Sequence, residues 1–243
     1  MLQEVGFLFL IAVVAFLYSS VGHGGASGYL ALMVLFGISP QLMKPSALIL
    51  NIFVSSIAFY QYYREGFFRW KLLLPFIILS IPLSFIGAKI QIDTHIYKII
   101  LGVCLLIATI RILDLFGKNK NKLLREIKFI PAILIGGIIG FVSGMIGIGG
   151  GILLSPVLIL LHWSDMKQTA ATSASFIFLN SISGLAGASI GSKVFSSNIY
   201  YWAGAVIIGG SFGAFYGSRK FNYVVLKYIL SGVLIFACTK LFT

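Results

Sequence analysis

The chain has 243 residues, a formal net charge of +12, 59% hydrophobic residues and only 10% charged ones. Soluble domains carry about 25% charged residues, so this composition excludes a water-soluble globular domain and requires a bilayer as solvent for much of the apolar surface. The excess of basic residues suits the cytoplasmic loops of a membrane protein and needs no nucleic acid partner.

Ten apolar segments follow one another, at 5–20, 24–37, 43–63, 71–90, 96–115, 129–146, 150–162, 167–192, 199–219 and 223–242. Met1-Leu2-Gln3-Glu4 precede the first, and no Lys or Arg precedes Lys44. It lacks the basic region of a signal peptide and is expected in the mature fold. Most segments have the ~20 residues of a spanning helix. Segments 24–37 and 150–162 do not; at 1.5 Å per residue each reaches only about 20 Å. Each follows a glycine cluster, Gly22-His23-Gly24-Gly25 in one case and Gly147-Ile148-Gly149-Gly150-Gly151 in the other.

The clusters belong to an internal repeat. Val21–Gly25 aligns with Ile146–Gly150, Met43-Lys44-Pro45-Ser46-Ala47 with Met166-Lys167-Gln168-Thr169-Ala170, Ile86–Lys89 with Tyr216–Arg219, and Gly102-Val103 with Gly232-Val233. The expected architecture is all-α and polytopic, with a first transmembrane repeat over 1–116, a basic linker over 117–128 and a second repeat over 129–243. Five segments per half is an odd number, so the second half enters the membrane from the opposite side. That is the inverted-topology build of secondary transporters, with broken or re-entrant helices at the glycine tips.

Charge sets the orientation. Thirteen of the 18 basic residues (Arg64, Arg69, Lys71, Arg111, Lys118, Lys120, Lys122, Arg125, Lys128, Lys167, Arg219, Lys220 and Lys227) fall on one side. Lys44, Lys89, Lys98, Lys193 and Lys240 fall on the other. The positive-inside rule places the central loop in the cytoplasm and both termini outside, in a cell (inner or plasma) membrane.

Two constellations carry candidate chemistry. Ser19, Ser20, Gly22, His23, Gly24, Gly25 and Ser27 form the first, and Ser143, Gly147, Gly149, Gly150 and Gly151 the second. Glycine frees the chain from the helix, and the short helix that follows presents unpaired N–H groups and a partial positive charge, a natural anion site. Asn51, Thr172, Ser173 and Asn180 add polarity in the long segments that follow, where polar groups face a cavity or a neighbouring helix. Glycine runs also serve as plain packing surfaces, and an intramembrane histidine often only bonds a neighbour. Two clusters at matching positions, each before an undersized helix, favour a substrate site. No phosphate-loop Lys-Ser/Thr follows the second cluster. His23, His95 and His162 are far apart and no cysteine lies near them, so no metal or cofactor is expected; Cys104 and Cys238 read as small core hydrophobes. All six acidic residues lie at segment ends or in loops, which disfavours cation pumping and leaves a neutral, donor-rich cavity for a small anion.

The cluster after the first segment, Gly-Met-Ile-Gly-Ile-Gly-Gly-Gly at 144–151, Pro156 and the Thr-Ser tract beyond it resemble the TauE/SafE family over nearly the whole chain. The resemblance implies export or uptake of sulfur-containing anions such as sulfite, thiosulfate or organosulfonates. His23 inside the first cluster departs from a plain glycine-rich pattern. The expected function is transport of such an anion by alternating access, with lipid and the small anion as partners and homo-oligomerisation left open. A passive anion channel and a non-transporting membrane subunit are the alternatives. An enzyme is disfavoured, because paired carboxylates, a Cys–His pair and a metal cluster are all missing.

Overall fold

The computed structural model describes residues 2–90, 124–188 and 198–222, with the short pieces 224–225, 228–229 and 232. Segment 96–115, nearly all of 223–242, most of the 117–128 linker, both cysteines and the Gly102-Val103 pairing lie outside the described residues. Within them the chain is all α-helical: α1 (Leu2–Ser19), α2 (Ala26–Leu35), α3 (Pro40–Arg64), α4 (Trp70–Lys89), α5 (Phe129–Ile146), α6 (Gly151–Leu160), α7 (Met166–Ala188) and α8 (Ile199–Arg219). Three of these, Leu42–Arg64, Trp70–Lys89 and Phe129–Ile146, are long and apolar enough to cross a membrane, and the protein is an integral, polytopic membrane protein. α1 is apolar but slightly short, and α7 dilutes its apolar residues with buried Ser, Thr and Asn.

Each helix shows why it forms where it does. α5 is apolar all round, as a lipid-embedded helix is. Ile130, Leu134 and Ile138, spaced four apart, are exposed on one stripe, ready for lipid. Gly136, Gly140 and Gly144, also four apart, lie on the stripe that meets the backbone of Phe76, Ser80 and Ser84 on α4. α8 repeats the device: Gly209, Gly213 and Gly217 lie against the backbone of Ala12, Phe16 and Ser20 along and just past α1. In lipid no hydrophobic force pulls helices together, so this close approach of small residues supplies the packing. Gly213→Val is therefore expected to destabilise the protein by about 1–3 kcal/mol through overpacking, because its side chain would fall on Phe16 O and Ser19 Oγ. Gly204→Val meets nothing within 4 Å among the described residues and should melt near the wild type; equal melting temperatures for the two variants in a detergent thermal-shift series would refute the ladder.

The paired contacts fix helix directions. In both glycine ladders the residue numbers rise together, so α1 runs parallel to α8 and α4 parallel to α5. Gly184 meets Ser84 and Gly187 meets Phe85 and Ala88, so α7 runs with α4. Gly210 against Val54 and Arg219 against Glu65 (Nε–Oε1 2.7 Å) set α8 parallel to α3. α3 and α7 cross antiparallel at the centre: Leu48 meets Gly184 and Asn51 meets Ser181, while Tyr62 packs with Ala170 and Ala171. α2 folds back along α1, with Ser27 on Tyr18 at 2.8 Å and Phe36 on Phe7 at 5.1 Å between ring centroids.

Candidate functional site

The two glycine turns meet at the crossing of α3 and α7. Asn51 lies eleven residues after Pro40 and thirteen before Arg64, at mid-length of α3. Its Oδ1 accepts the Ala26 N–H at 3.0 Å, at the first residue of α2. Its Nδ2 donates to Ile148 O at 3.2 Å, inside the second turn, and more weakly to Ser181 Oγ at 3.5 Å. One amide therefore ties both tips together. Ile177, eleven residues from each end of α7, wedges between them, against Gly24, Gly149 and Gly151.

From this crossing the two short helices leave in opposite directions. α2 runs antiparallel to α3 and α6 antiparallel to α7, the latter with Gly151 at Ile177 and Ser155 on Ser173. Since α3 and α7 are themselves antiparallel, the N-termini of α2 and α6 face each other across the mid-length of the bundle. Facing N-termini bring together two partial positive charges and two sets of orphan donors. The amides of Gly24, Gly25, Gly149, Gly150 and Gly151 donate to no backbone carbonyl among the described residues.

The side chains around the tips are buried. A carbonyl only accepts, so His23 Nδ1 donates to Val21 O at 3.0 Å. In the neutral ring Nε2 then accepts from Ser155 Oγ at 3.2 Å, and Ser155 in turn accepts from Ser173 Oγ at 2.7 Å. The chain links the first turn to α6 and α7. Tyr29, fully buried, has a hydroxyl with no hydrogen-bond partner among the described residues; that oxygen lies 2.6 Å from where a side-chain carbon on Gly25 would stand, so it points into the tip.

Of the residues the sequence singled out, the structure brings together His23, Gly24, Gly25, Ser27, Asn51, Gly149, Gly150, Gly151 and Ser173. Gly22 and Gly147 form the turns just outside, against Ala170 and Lys44 respectively. Ser143 bonds Gly140 O within its own helix but borders Gly150. The others turn elsewhere. Ser19 donates to Gly210 O on α8, Ser20 to Leu17 O and Thr172 to Gln168 O. Asn180 donates to Ser80 on α4 and to Phe176 O, away from the tips. A separate cavity of 510 Å³ opens at the surface end of α2, between Glu4, Phe7, Phe36, Asn198 and Trp202.

Residues 7–241 match the family described as Sulfite exporter TauE/SafE. The chain belongs to the TauE/SafE family of membrane transporters. It is similar to the probable membrane transporter protein y4hK of Sinorhizobium fredii, at 37% identity over 98% of both chains. It is also similar to the probable membrane transporter protein YjnA of Bacillus subtilis, at 27% identity over 98% of this chain and all of that one. No solved structure matches it. Membership makes the protein a transporter and not an enzyme.

Within this TauE/SafE chain, sequence reasoning missed Tyr29, Ser155, Ile177 and Ser181. A signal existed for Tyr29 and Ser155. Each stands four residues after a tip glycine, Gly25 or Gly151, and helical side chains lean toward the N-terminus, back over the turn before them. Ile177 carried no signal and Ser181 only the polarity it shares with the other hydroxyls of its segment, because which face of α7 meets the tips depends on packing.

Proposed function

We propose that the protein moves a small sulfur-containing anion (sulfite, thiosulfate or an organosulfonate) by alternating access, and that the anion is held mid-membrane between the N-termini of α2 and α6. Backbone N–H groups at Gly24, Gly25, Gly149, Gly150 and Gly151 bind it, while His23, Ser27, Tyr29, Ser155 and Ser173 orient it. The observation that carries this reading is the head-to-head meeting of two helix N-termini at Asn51, whose amide oxygen already sits on the Ala26 N–H as an anion's oxygen would. The described acidic side chains stand at helix ends and in loops, so none of them competes for those donors.

The two halves, 1–116 and 129–243 about the 117–128 linker, are proposed as inverted repeats that rock against each other. Helix directions support this, since α1, α3 and α8 run one way and α4, α5 and α7 the other, so each helix opposes its repeat partner. Packing supports it too, because the α1–α8 pair mirrors α5–α4 and the α2–α3 pair mirrors α6–α7. Even the turns match: His23 N–H closes on Tyr18 O at 2.8 Å, and Ile148 N–H on Ser143 O at 3.3 Å. With these directions Arg64, Arg69, Lys71, Arg125, Lys128, Lys167, Arg219 and Lys220 share one face, against Lys44 and Lys89 on the other. We assign the first face to the cytoplasm and both termini to the outside. Burial of every side chain at the tips favours a carrier that opens one side at a time over a standing pore.

The test is flux into proteoliposomes with sulfite, thiosulfate, sulfoacetate, sulfate and chloride, with and without pH and sodium gradients. Saturable flux of a sulfur oxyanion is expected. His23→Ala should raise the half-saturation concentration about tenfold, the worth of one or two hydrogen bonds. Flux that never saturates would replace the carrier by a channel, and no flux from folded protein would remove the transport reading of this site.

A further inference from the structure

Two lysines at repeat-equivalent positions make the same unusual contact. Lys44, in the first turns of α3, donates from Nζ to Ala88 O at 3.0 Å, at the end of α4. Lys167, in the first turn of α7, donates to Ser218 O at 2.9 Å, at the end of α8. Both are half-buried, and neither has a carboxylate partner among the described residues. An ammonium carries three donors, so each contact leaves donors over. Lys167 also has its Nζ over the Phe67 ring, 4.8 Å from the centroid, which keeps the charge attracted without neutralising it.

Their placement relative to the tips is similar as well. The stem of Lys44 crosses the second turn, with Cγ 2.8 Å from where a side-chain carbon on Gly147 would stand. Lys167 stands one helical turn before Ala170, whose backbone packs on Gly22 in the first turn. Lys44 thus lies beside the turn contributed by the other half, and Lys167 lies one helical turn along α7 from the residue that packs on the first turn. The helix directions put them at opposite faces: Lys44 where α3 begins and α4 ends, Lys167 where α7 begins and α8 ends.

We propose that Lys44 and Lys167 are a pair of anion-capture sites, one at each mouth, which bind an oxyanion by charge-assisted hydrogen bonds and pass it to the glycine tips. This rests on the mid-membrane anion site proposed above. An anion entering either mouth gains a positive charge before it reaches the helix N-termini, and the donors left over on each ammonium bind it without giving up the carbonyl contact. Symmetry of function follows, since the same device serves loading on one side and release on the other.

The experiment uses full-length protein in proteoliposomes sorted by orientation, with sulfite presented to one face at a time. Lys44→Gln is expected to raise the half-saturation concentration about tenfold at the face where α3 begins and to leave the opposite face unchanged. Lys167→Gln should do the reverse, and Lys44→Arg and Lys167→Arg should restore most of the loss. Equal changes at both faces, or unchanged half-saturation with a lowered melting temperature, would make the lysines plain helix-end latches and overturn the assignment. Wild-type protein that carries no sulfite, thiosulfate or sulfonate overturns the mid-membrane site and the lysine pair together. Normal wild-type flux with unaltered variants overturns the lysine pair alone.

Discussion

Gly149→Val is expected to abolish anion flux while leaving a folded protein in detergent. Gly149 has φ +73°, a backbone region that costs an L-residue about 1–2 kcal/mol and a β-branched one more. Its new Cβ would stand 2.8 Å from Ile177 Cγ2 and Ser181 Oγ and 3.0 Å from Asn51 Nδ2. Those three groups define the crossing, so the second tip must move off it. The bond from Asn51 to Ile148 O goes with it, and the α6 N-terminus no longer faces that of α2. The fold should survive because α5 is held to α4 by its glycine ladder and α6 to α7 by Ser155 and a core of Leu154, Leu158, Phe176 and Trp163. Sulfite flux and a thermal melt, run beside Gly204→Val as a control in open space, separate the outcomes. Wild-type flux would sink the placement of the anion at the tips. Loss of folded protein would show that the glycines serve packing alone.

Much of the architecture was legible because lipid writes it in composition. The bounds expected for α5, 129–146, and α8, 199–219, match the helices found. Charges just outside the apolar runs, Lys128 and Lys220, mark where lipid ends. α3 starts earlier than its apolar pattern, at Pro40, because proline is favoured at the first position of a helix, where its missing N–H costs nothing. The undersized helices were legible from glycine spacing, and their N-termini proved to be the ends that meet. What the sequence could not show was rotation about α7. Asn180 and Ser181 are adjacent, but 100° apart around the helix. Ser181 lies with Ile177 on the face that meets the tips, whereas Asn180 turns to Ser80 on α4. Nor could it show that Asn51, which has no counterpart in the other half, serves both tips at once.

That asymmetry makes Asn51→Asp the sharpest probe of charge at the site. The change is nearly isosteric. One carboxylate oxygen keeps the Ala26 N–H, now as a charge-assisted bond favoured by the helix N-terminus. The other faces Ile148 O, where an N–H donor stood, and that carbonyl loses its bond. The unsatisfied acceptor costs about 1–3 kcal/mol and the buried carboxylate more, set against the stronger bond to α2 and the two facing helix N-termini. A thermal melt therefore accompanies the flux assay, which is run at a pH high enough to keep the carboxylate ionised. The new charge also acts on a bound anion. A unit negative charge about 5 Å away, at an effective dielectric near 20, raises the anion's energy by about 3 kcal/mol, more than a hundredfold in affinity. Anion flux is therefore expected to vanish. Asn51→Ala removes the tie without adding charge and should retain measurable flux with a raised half-saturation concentration. If the two variants transport equally well, the ligand at the crossing is not an anion; if Asn51→Asp transports and Asn51→Ala does not, the amide matters as a structural tie and the facing helix N-termini are not the binding site.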